Sequence, residues 1–255
     1  VYVRNLSQAL ANLGHRVDVV SGPTYPELNG RVRLVKIPGL DLYNAADLFR
    51  MPTARELSDG TNLVEWLGVS TMGFPEPYTF GVRASRYLKR HTRRYDVIHD
   101  NQSLSYGIWS IKKRFPTVAT IHHPITVDRE VAVKAESIFW RKLAQWRWYS
   151  FVGMQIRVSR TLPYLITVSK FTRAHISRQF GLPENRFRVI PNGINTDLFY
   201  PEAGVEREPN RIIVTNSADT PLKGLHYLLP AVAAIAKDRD IRLTVVGTPK
   251  KNGMV

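Results

Sequence analysis

Apolar residues along the chain follow two spacings in turn, one typical of helices and the other typical of strands. Between residues 3 and 13, valine, leucine and alanine recur every three or four positions, which predicts a helix, and Gly14 is placed to end it. Residues 16–20 then read as a strand in which valines follow charged residues. Because a strand precedes the first helix of an α/β unit, we expect one ahead of Val1.

The same alternation continues through most of the chain. Further strands are predicted at 32–37, 96–99, 118–122, 165–168, 187–190, 211–215 and 242–246, and helices at 79–92, 104–113, 128–160 (two helices), 171–180 and 225–236. Residues 40–71 are predicted to be irregular, with a few short turns of helix. Strands that alternate with helices favour an α/β fold with a doubly wound parallel sheet, whose ligands bind beyond the carboxyl ends of the strands.

A change of composition marks a domain boundary. Residues 201–209 are rich in proline and glutamate and read as a linker between a first domain at 1–200 and a second that begins at 210. Residues 210–255 hold one strand–helix–strand unit, which is too short for a closed core of its own. We therefore expect one large domain, without its first strand, and an incomplete second domain.

Composition narrows the class of protein. With 255 residues and 44% of them hydrophobic, the chain can bury a core, and it has no cysteine for disulfides, thiolate metal sites or nucleophilic catalysis. Its formal net charge of +15 favours anionic partners. No zinc-finger, helix-turn-helix or RNA-recognition signature accompanies this charge, so we expect no nucleic acid, and no apolar run is long enough to span a bilayer.

His122 is the first candidate for chemistry because it stands at the end of a predicted strand. It could donate a hydrogen bond to a sugar or phosphate oxygen, or it could only tie a loop to the sheet, and the pattern leaves both open. Neighbouring strand residues point to opposite faces, so His123 does not complete a metal site with it. No third ligand accompanies the two histidines, and we expect no metal.

Two loops are candidates for phosphate binding. Ser217 to Gly224 connects a strand to a helix, where backbone N–H groups, the helix dipole and Lys223 suit a diphosphate, although a solvated lysine is the alternative. Asn192 and Gly193 predict a turn, since both tolerate positive φ, in a loop that leads to the linker. The glycine motifs of P-loop proteins and dinucleotide-binding oxidoreductases are absent from the sequence.

Residues 137–160 combine aromatic and basic side chains. They include five Lys or Arg and no acidic residue, together with three tryptophans. Such a segment suits the surface of an anionic membrane, and it equally suits helices that pack their rings on the sheet while their arginines face water.

Taken together, several segments resemble the family 4 glycosyltransferases, which are retaining enzymes of the GT-B fold. They are residues 3–20, YDVIH at 95–99, VATIHHP at 118–124, ITVSKF at 166–171, VIPNGINTDLF at 189–199 and PLKGL at 221–225. Their order and spacing carry the resemblance, which covers the chain outside roughly residues 40–80.

The resemblance implies two Rossmann-like domains that face a cleft, with the acceptor on the first and a nucleotide-diphospho-sugar on the second. It implies a hexosyltransferase that needs no cofactor or metal. His122 would contact the transferred sugar. Lys223 would neutralise the charge of the donor diphosphate, and Gly224 would let the backbone approach it closely. Asn192 and Gly193 would form the loop at which the chain crosses between the domains.

Some positions depart from the family pattern. Ser217 stands where an arginine is common, which removes one cation from the diphosphate, and Asn195 stands where an aspartate is common. A glycine-rich loop before Val1 and a Glu-x7-Glu segment after Val255 are expected, so residues 1–255 alone are expected to be inactive. Ser169 is interpreted as structural.

The resemblance also implies partners and a location. The acceptor would be a lipid-linked, saccharide or other small molecule, in cell-envelope, glycolipid or polysaccharide synthesis. The protein would be cytoplasmic, and the basic, aromatic segment at 137–160 adds an anionic inner membrane face as a further partner. The rival interpretations are a non-catalytic sugar- or membrane-binding module, a basic nucleic-acid-binding protein and a nucleotide-sugar epimerase.

Overall fold

The computed structural model describes residues 1–44, 47, 50–92, 94–215 and 223–247. In that part of the chain the strands are β1 (Asp18–Ser21), β2 (Arg33–Lys36), β3 (Ile98–Asn101), β4 (Thr117–Ile121), β5 (Leu165–Thr167), β6 (Phe187–Val189), β7 (Arg211–Thr215) and β8 (Arg242–Val246). The helices are α1 (Tyr2–Asn12), α2 (Ala54–Leu57), α3 (Gly60–Ser70), α4 (Glu76–Arg90), α5 (Tyr106–Ile111), α6 (Ile125–Ala135), α7 (Phe139–Trp148), α8 (Val152–Ser159), α9 (Lys170–Phe180) and α10 (Leu225–Ile235). All paired strands are parallel, which confirms the predicted α/β class.

The main sheet holds four strands in the order β3-β4-β5-β6. Its core is made of aliphatic and aromatic side chains from the sheet and from α5, α8 and α9, among them Ile111, Ile121, Leu165, Ile176 and Phe180, which are at most 1% exposed. Burial of such side chains stabilises the domain by roughly 1.5–3 kcal/mol each, before the entropy of ordering them is counted. Because the four strands pair in parallel, their carboxyl ends meet at one edge of this sheet.

Strands β1 and β2 form a separate pair, and β1 does not pair with β3. A cavity of about 1680 Å³ lies between them, lined by residues 14–24 on one side and 94–103 on the other. Asp18 links the two sides, since it accepts hydrogen bonds from Arg33 (2.6 Å), Arg94 (3.1 Å) and the Tyr95 hydroxyl (2.8 Å). The strand expected ahead of Val1 stays a prediction.

Local signals set several element ends as predicted. Gly14 follows the end of α1 with φ of +90°, and Gly181 ends α9 with φ of +63°, a region that side chains disfavour. The Ser169 hydroxyl accepts from the Thr172 N–H at 3.0 Å and caps α9, which confirms a structural role for Ser169.

One prediction of helical structure was wrong. Residues 40–71 contain α3, whose buried residues include Thr61 and Glu65 while Leu63 and Leu67 are exposed. The buried face of this helix is polar because Glu65 accepts hydrogen bonds from Arg83 and from the Leu40 N–H. That face therefore has no stripe of apolar residues that would predict the helix. Residues 128–160 lie in two helical stretches, as predicted, because Glu136 and Ile138 adopt extended backbone after α6, while α7 continues through a 3-10 turn at Tyr149–Phe151 into α8 without a break.

The second unit has the predicted order of strand, helix and strand. Strands β7 and β8 pair in parallel over residues 211–215 and 242–246, with α10 between them in sequence. The predicted linker at 201–209 is exposed throughout and has no helix or strand. The domain limits drawn at 200 and 210 stay a prediction.

Candidate functional site at the carboxyl edge of the sheet

His122 is the first residue beyond β4, at the carboxyl edge of the main sheet. Its backbone N–H donates to Oε1 of Gln102 at 2.7 Å, and its Nε2 lies 2.8 Å from Oδ1 of Asn101. The ring of Tyr2 meets the imidazole edge to face, with centroids 4.5 Å apart. His122 is therefore held in one orientation by three neighbours.

The contact with Asn101 fixes the tautomer of His122. An amide oxygen only accepts hydrogen bonds, so Nε2 carries the proton and Nδ1 keeps a lone pair. Burial lowers the pKa of His122, and the neighbouring His123 lowers it further, so the ring is neutral at pH 7. Asn101 thus takes the donor that the sequence suggested for a ligand, and the side chain offers an acceptor at Nδ1 instead, which has no hydrogen-bond partner among the residues that the structure describes.

Asn101 and Gln102 were not singled out from the sequence. Asn101 is the last residue of β3, the strand beside β4, and Gln102 follows it, so the rule that selected His122 could have found them. Gln102 and Leu104 have φ of +59° and +45°, a strained region for residues with a Cβ. Two hydrogen bonds keep the backbone in this conformation. Buried Asp100 accepts from the Leu104 N–H at 2.8 Å, and Gln155 donates to the Gln102 carbonyl at 2.9 Å.

The side chain of His123 does not share this site, although its backbone carbonyl accepts from Nε2 of Gln102 at 3.0 Å. Nε2 of His123 lies 2.9 Å from Oδ2 of Asp128, on an exposed surface. Among the described residues, no group of three or more His, Asp or Glu side chains is placed to hold a metal ion.

Glu76 lies on the same large cavity as Asn101 and Gln102. Burial and the nearby carboxylates of Glu65 and Asp41 raise the pKa of Glu76 to about 7. A carboxyl group with this pKa is partly protonated at neutral pH and can give or take a proton. It was not found from the sequence, because its neighbours lie elsewhere in the chain.

The predicted turn at Asn192 and Gly193 is wrong in its geometry. Both residues are exposed in the segment after β6, but neither has a positive φ, and a Cβ added to Gly193 would meet nothing within 4 Å. The turn forms three residues later, where the side chain of Asn195 accepts from the Asp197 N–H at 2.9 Å. This Asx turn supplies the local hydrogen bond that Asn-Gly was expected to provide.

Lys223 and Gly224 stand immediately before α10, as predicted. Gly224 has φ of +70° and is the N-cap, without a side chain to satisfy the first N–H groups of the helix. Lys223 is exposed, and no hydrogen bond or ion pair joins it to His122 within the described ranges. Ser217 lies outside the described residues. The roles expected for these three residues stay predictions.

A sequence profile described as Glycosyltransferase Family 4 matches residues 1–198. The chain is 49% identical over 255 residues to the MMP alpha-(1->4)-mannosyltransferase of Mycolicibacterium hassiacum, covering 99% of this chain and 61% of that protein. It is 24% identical over 275 residues to the D-inositol 3-phosphate glycosyltransferase of Corynebacterium urealyticum, covering 100% of this chain and 58% of that protein. The chain thus spans about three fifths of the length of these curated relatives.

Among solved structures, the chain is similar to a glycosyltransferase from Rickettsia africae. The sequence identity is 15%, the TM-score is 0.47, and the likeness covers 95% of this chain and 55% of that one.

No helix in the described part of the chain has the length and apolar character needed to cross a membrane.

Proposed function

Because this chain belongs to glycosyltransferase family 4, we propose that it is part of a hexosyltransferase that uses a nucleotide-diphospho-sugar and retains the configuration of the transferred sugar. The observation that carries the proposal is the fixed orientation of His122 at the end of β4, with Asn101 on Nε2 and with no hydrogen-bond partner for Nδ1 among the described residues. The acceptor would lie on the first domain and the donor on the second.

In this proposal, residues of both domains take part in sugar transfer. The neutral His122 would accept a hydrogen bond at Nδ1 from a hydroxyl of the transferred sugar and hold its ring in place. Lys223 and the free N–H groups at the start of α10 would stabilise the negative charge that develops on the departing diphosphate. Groups fixed before the reaction are most effective here, since they need no reorganisation as charge develops.

The transferred sugar in this proposal is an α-mannosyl residue. The support is the 49% identity to a relative that is named for α-(1→4)-mannosyl transfer. Retention follows if the donor has the same α configuration as such a product.

Lys223→Ala in the full-length protein is expected to lower kcat/KM about tenfold to a hundredfold, because a charge-assisted contact with the diphosphate contributes roughly 1.5–3 kcal/mol. Release of nucleoside diphosphate from candidate nucleotide-sugars, with GDP- and UDP-linked sugars compared, measures the effect. Lys237→Ala is the matched control, since Lys237 is an exposed lysine beyond the other end of α10. Equal kinetics for the two variants would remove Lys223 from the mechanism.

We also propose that α7 attaches the protein to an anionic membrane, in synthesis of a cell-envelope glycolipid or polysaccharide. Phe139, Trp140, Leu143 and Trp146 are each at least 50% exposed on this helix of 10 residues. Arg141 lies over the ring of Trp140 at 5.5 Å, and Arg129 of α6 lies over Trp146 at 4.5 Å. Exposed rings beside cations suit the headgroup region of an acidic bilayer.

Flotation with vesicles tests the attachment. The protein is expected to float with vesicles that contain phosphatidylglycerol and to remain in the bottom fraction with vesicles of phosphatidylcholine alone. The double variant Phe139→Ser and Trp140→Ser is expected to abolish flotation. Phe171→Ser is the control, because Phe171 is 74% exposed on another helix, α9. Equal flotation with both kinds of vesicle would contradict the proposal.

A further inference from the structure

An open groove of about 360 Å³ lies between the first turns of α4, α5 and α8. Its walls include the aromatic residues Phe74, Tyr78, Tyr106 and Phe151, and its charged residues are Arg147 and Arg157. The rings of Tyr78 and Tyr106 stand at 82° to each other with centroids 6.5 Å apart. Aromatic faces set at an angle suit the apolar face of a sugar ring.

The groove lies close to the candidate site at the sheet edge. Helices that connect parallel strands run antiparallel to them, so each helix begins near the carboxyl edge of the sheet and ends near the amino edge. The first turns of α4, α5 and α8 therefore lie at the carboxyl edge. Gln155 of α8 donates to the carbonyls of Gln102 and Ser103, and the Gln102 side chain accepts from the His122 N–H. One hydrogen-bonded segment thus connects the groove to His122.

The two arginines of the groove have only neutral partners. Arg147 donates to the hydroxyls of Thr71 (2.8 Å) and Ser150 (3.1 Å), and Arg157 donates to the Tyr106 hydroxyl (3.1 Å). No ion pair compensates either guanidinium among the described residues, and the groove has no acidic residue in its walls. Each guanidinium has five N–H donors, so donors remain for a ligand.

We propose that this groove binds an acidic sugar unit of the acceptor saccharide. The sugar ring would lie on the aromatic walls, and its carboxylate or phosphate would bind Arg147 and Arg157. The assignment rests on the proposed sugar transfer, and it adds the chemical class of the acceptor. Guanidinium groups bind both anions well because their paired N–H groups match two oxygens at once. Two uncompensated charges beside apolar rings favour such a ligand over a neutral sugar.

Two measurements on the full-length protein test the groove. Calorimetry gives the Kd of methyl glucuronide, of a hexose 6-phosphate and of neutral methyl glucoside, and a transfer assay gives their KM as acceptors. Arg147→Gln combined with Arg157→Gln is expected to weaken binding of the acidic sugars about tenfold or more and to leave methyl glucoside unchanged. Arg178→Gln, an exposed arginine of α9 outside the groove, is the control.

The outcomes separate the groove from the catalytic proposal. Acidic sugars that bind no better than methyl glucoside, or an equal loss in Arg178→Gln, would overturn the groove assignment. Tight binding that depends on both groove arginines, with no transfer to any acceptor from any donor, would uphold the groove and overturn the hexosyltransferase proposal. A preference for the uronide or for the phosphate identifies which anion the groove takes.

Discussion

His122→Ala is expected to lower kcat/KM for sugar transfer about a hundredfold to a thousandfold, the range measured when one positioned group at a reacting centre is removed. The imidazole is oriented before any ligand arrives, since Asn101 lies 2.8 Å from Nε2 and Gln102 holds the backbone N–H at 2.7 Å. Alanine keeps the backbone contact and removes only the ring. Single-turnover kinetics with a nucleotide-sugar donor in the full-length protein measure the loss.

His123→Ala is the matched control for this experiment. His123 is the next residue in the chain and is exposed, and its side chain bonds to Asp128, while its backbone carbonyl, which alanine keeps, accepts from Gln102. Its removal is expected to change kcat/KM less than threefold, about the effect of 0.6 kcal/mol on a barrier. A loss of equal size in the two variants would mean that the segment after β4, and not the His122 imidazole, matters for transfer.

Gly107→Ala is expected to lower the free energy of unfolding by roughly 3 kcal/mol or more, because α4 and α5 cross with their backbones in contact. A Cβ on Gly107 would lie 1.9 Å from the carbonyl oxygen of Gly81 and 2.3 Å from its carbonyl carbon. Both are backbone atoms, so no rotamer change relieves the overlap and the helices must separate. Urea unfolding followed by circular dichroism measures the change.

Gly153→Ala is the control for the effect of alanine on a helix. Gly153 lies in α8, and a Cβ there would meet nothing within 4 Å. Alanine is therefore expected to stabilise α8 by up to about 1 kcal/mol through its higher helix propensity. Comparable urea midpoints for the two variants would contradict a close crossing of α4 and α5. The crossing also brings Tyr78 and Tyr106 together, so Gly107→Ala is expected to open the groove.

Predictions from the sequence were most accurate where a local signal decides the structure. The strands at 211–215 and 242–246 were found at both ends, and Gly14 and Gly181 end their helices as expected. In each case the signal lies within a few residues, either as an apolar run or as a glycine that tolerates positive φ. The parallel α/β class followed from the alternation of such signals.

The failures occur where distant residues replace the local signal. Helix α3 was missed because it turns Glu65 inward to meet Arg83, which is 18 residues away, and leaves Leu63 exposed. Asn192 and Gly193 carry a sequence typical of a turn, yet the Asn195 side chain forms the turn instead. Propensity is a weak guide where a tertiary or side-chain hydrogen bond competes with it.

The sequence by itself determined the class of fold, the order of its elements and the position of His122 at a strand end, because these depend on periodicity and on caps that lie within a few residues. Only the tertiary structure decided what surrounds His122, since Asn101 is 21 residues away and meets it where two neighbouring parallel strands end together. The same holds for the contact of Gly81 with Gly107 and for the groove beside it. Such contacts join segments that the chain separates, and packing alone brings them to one place.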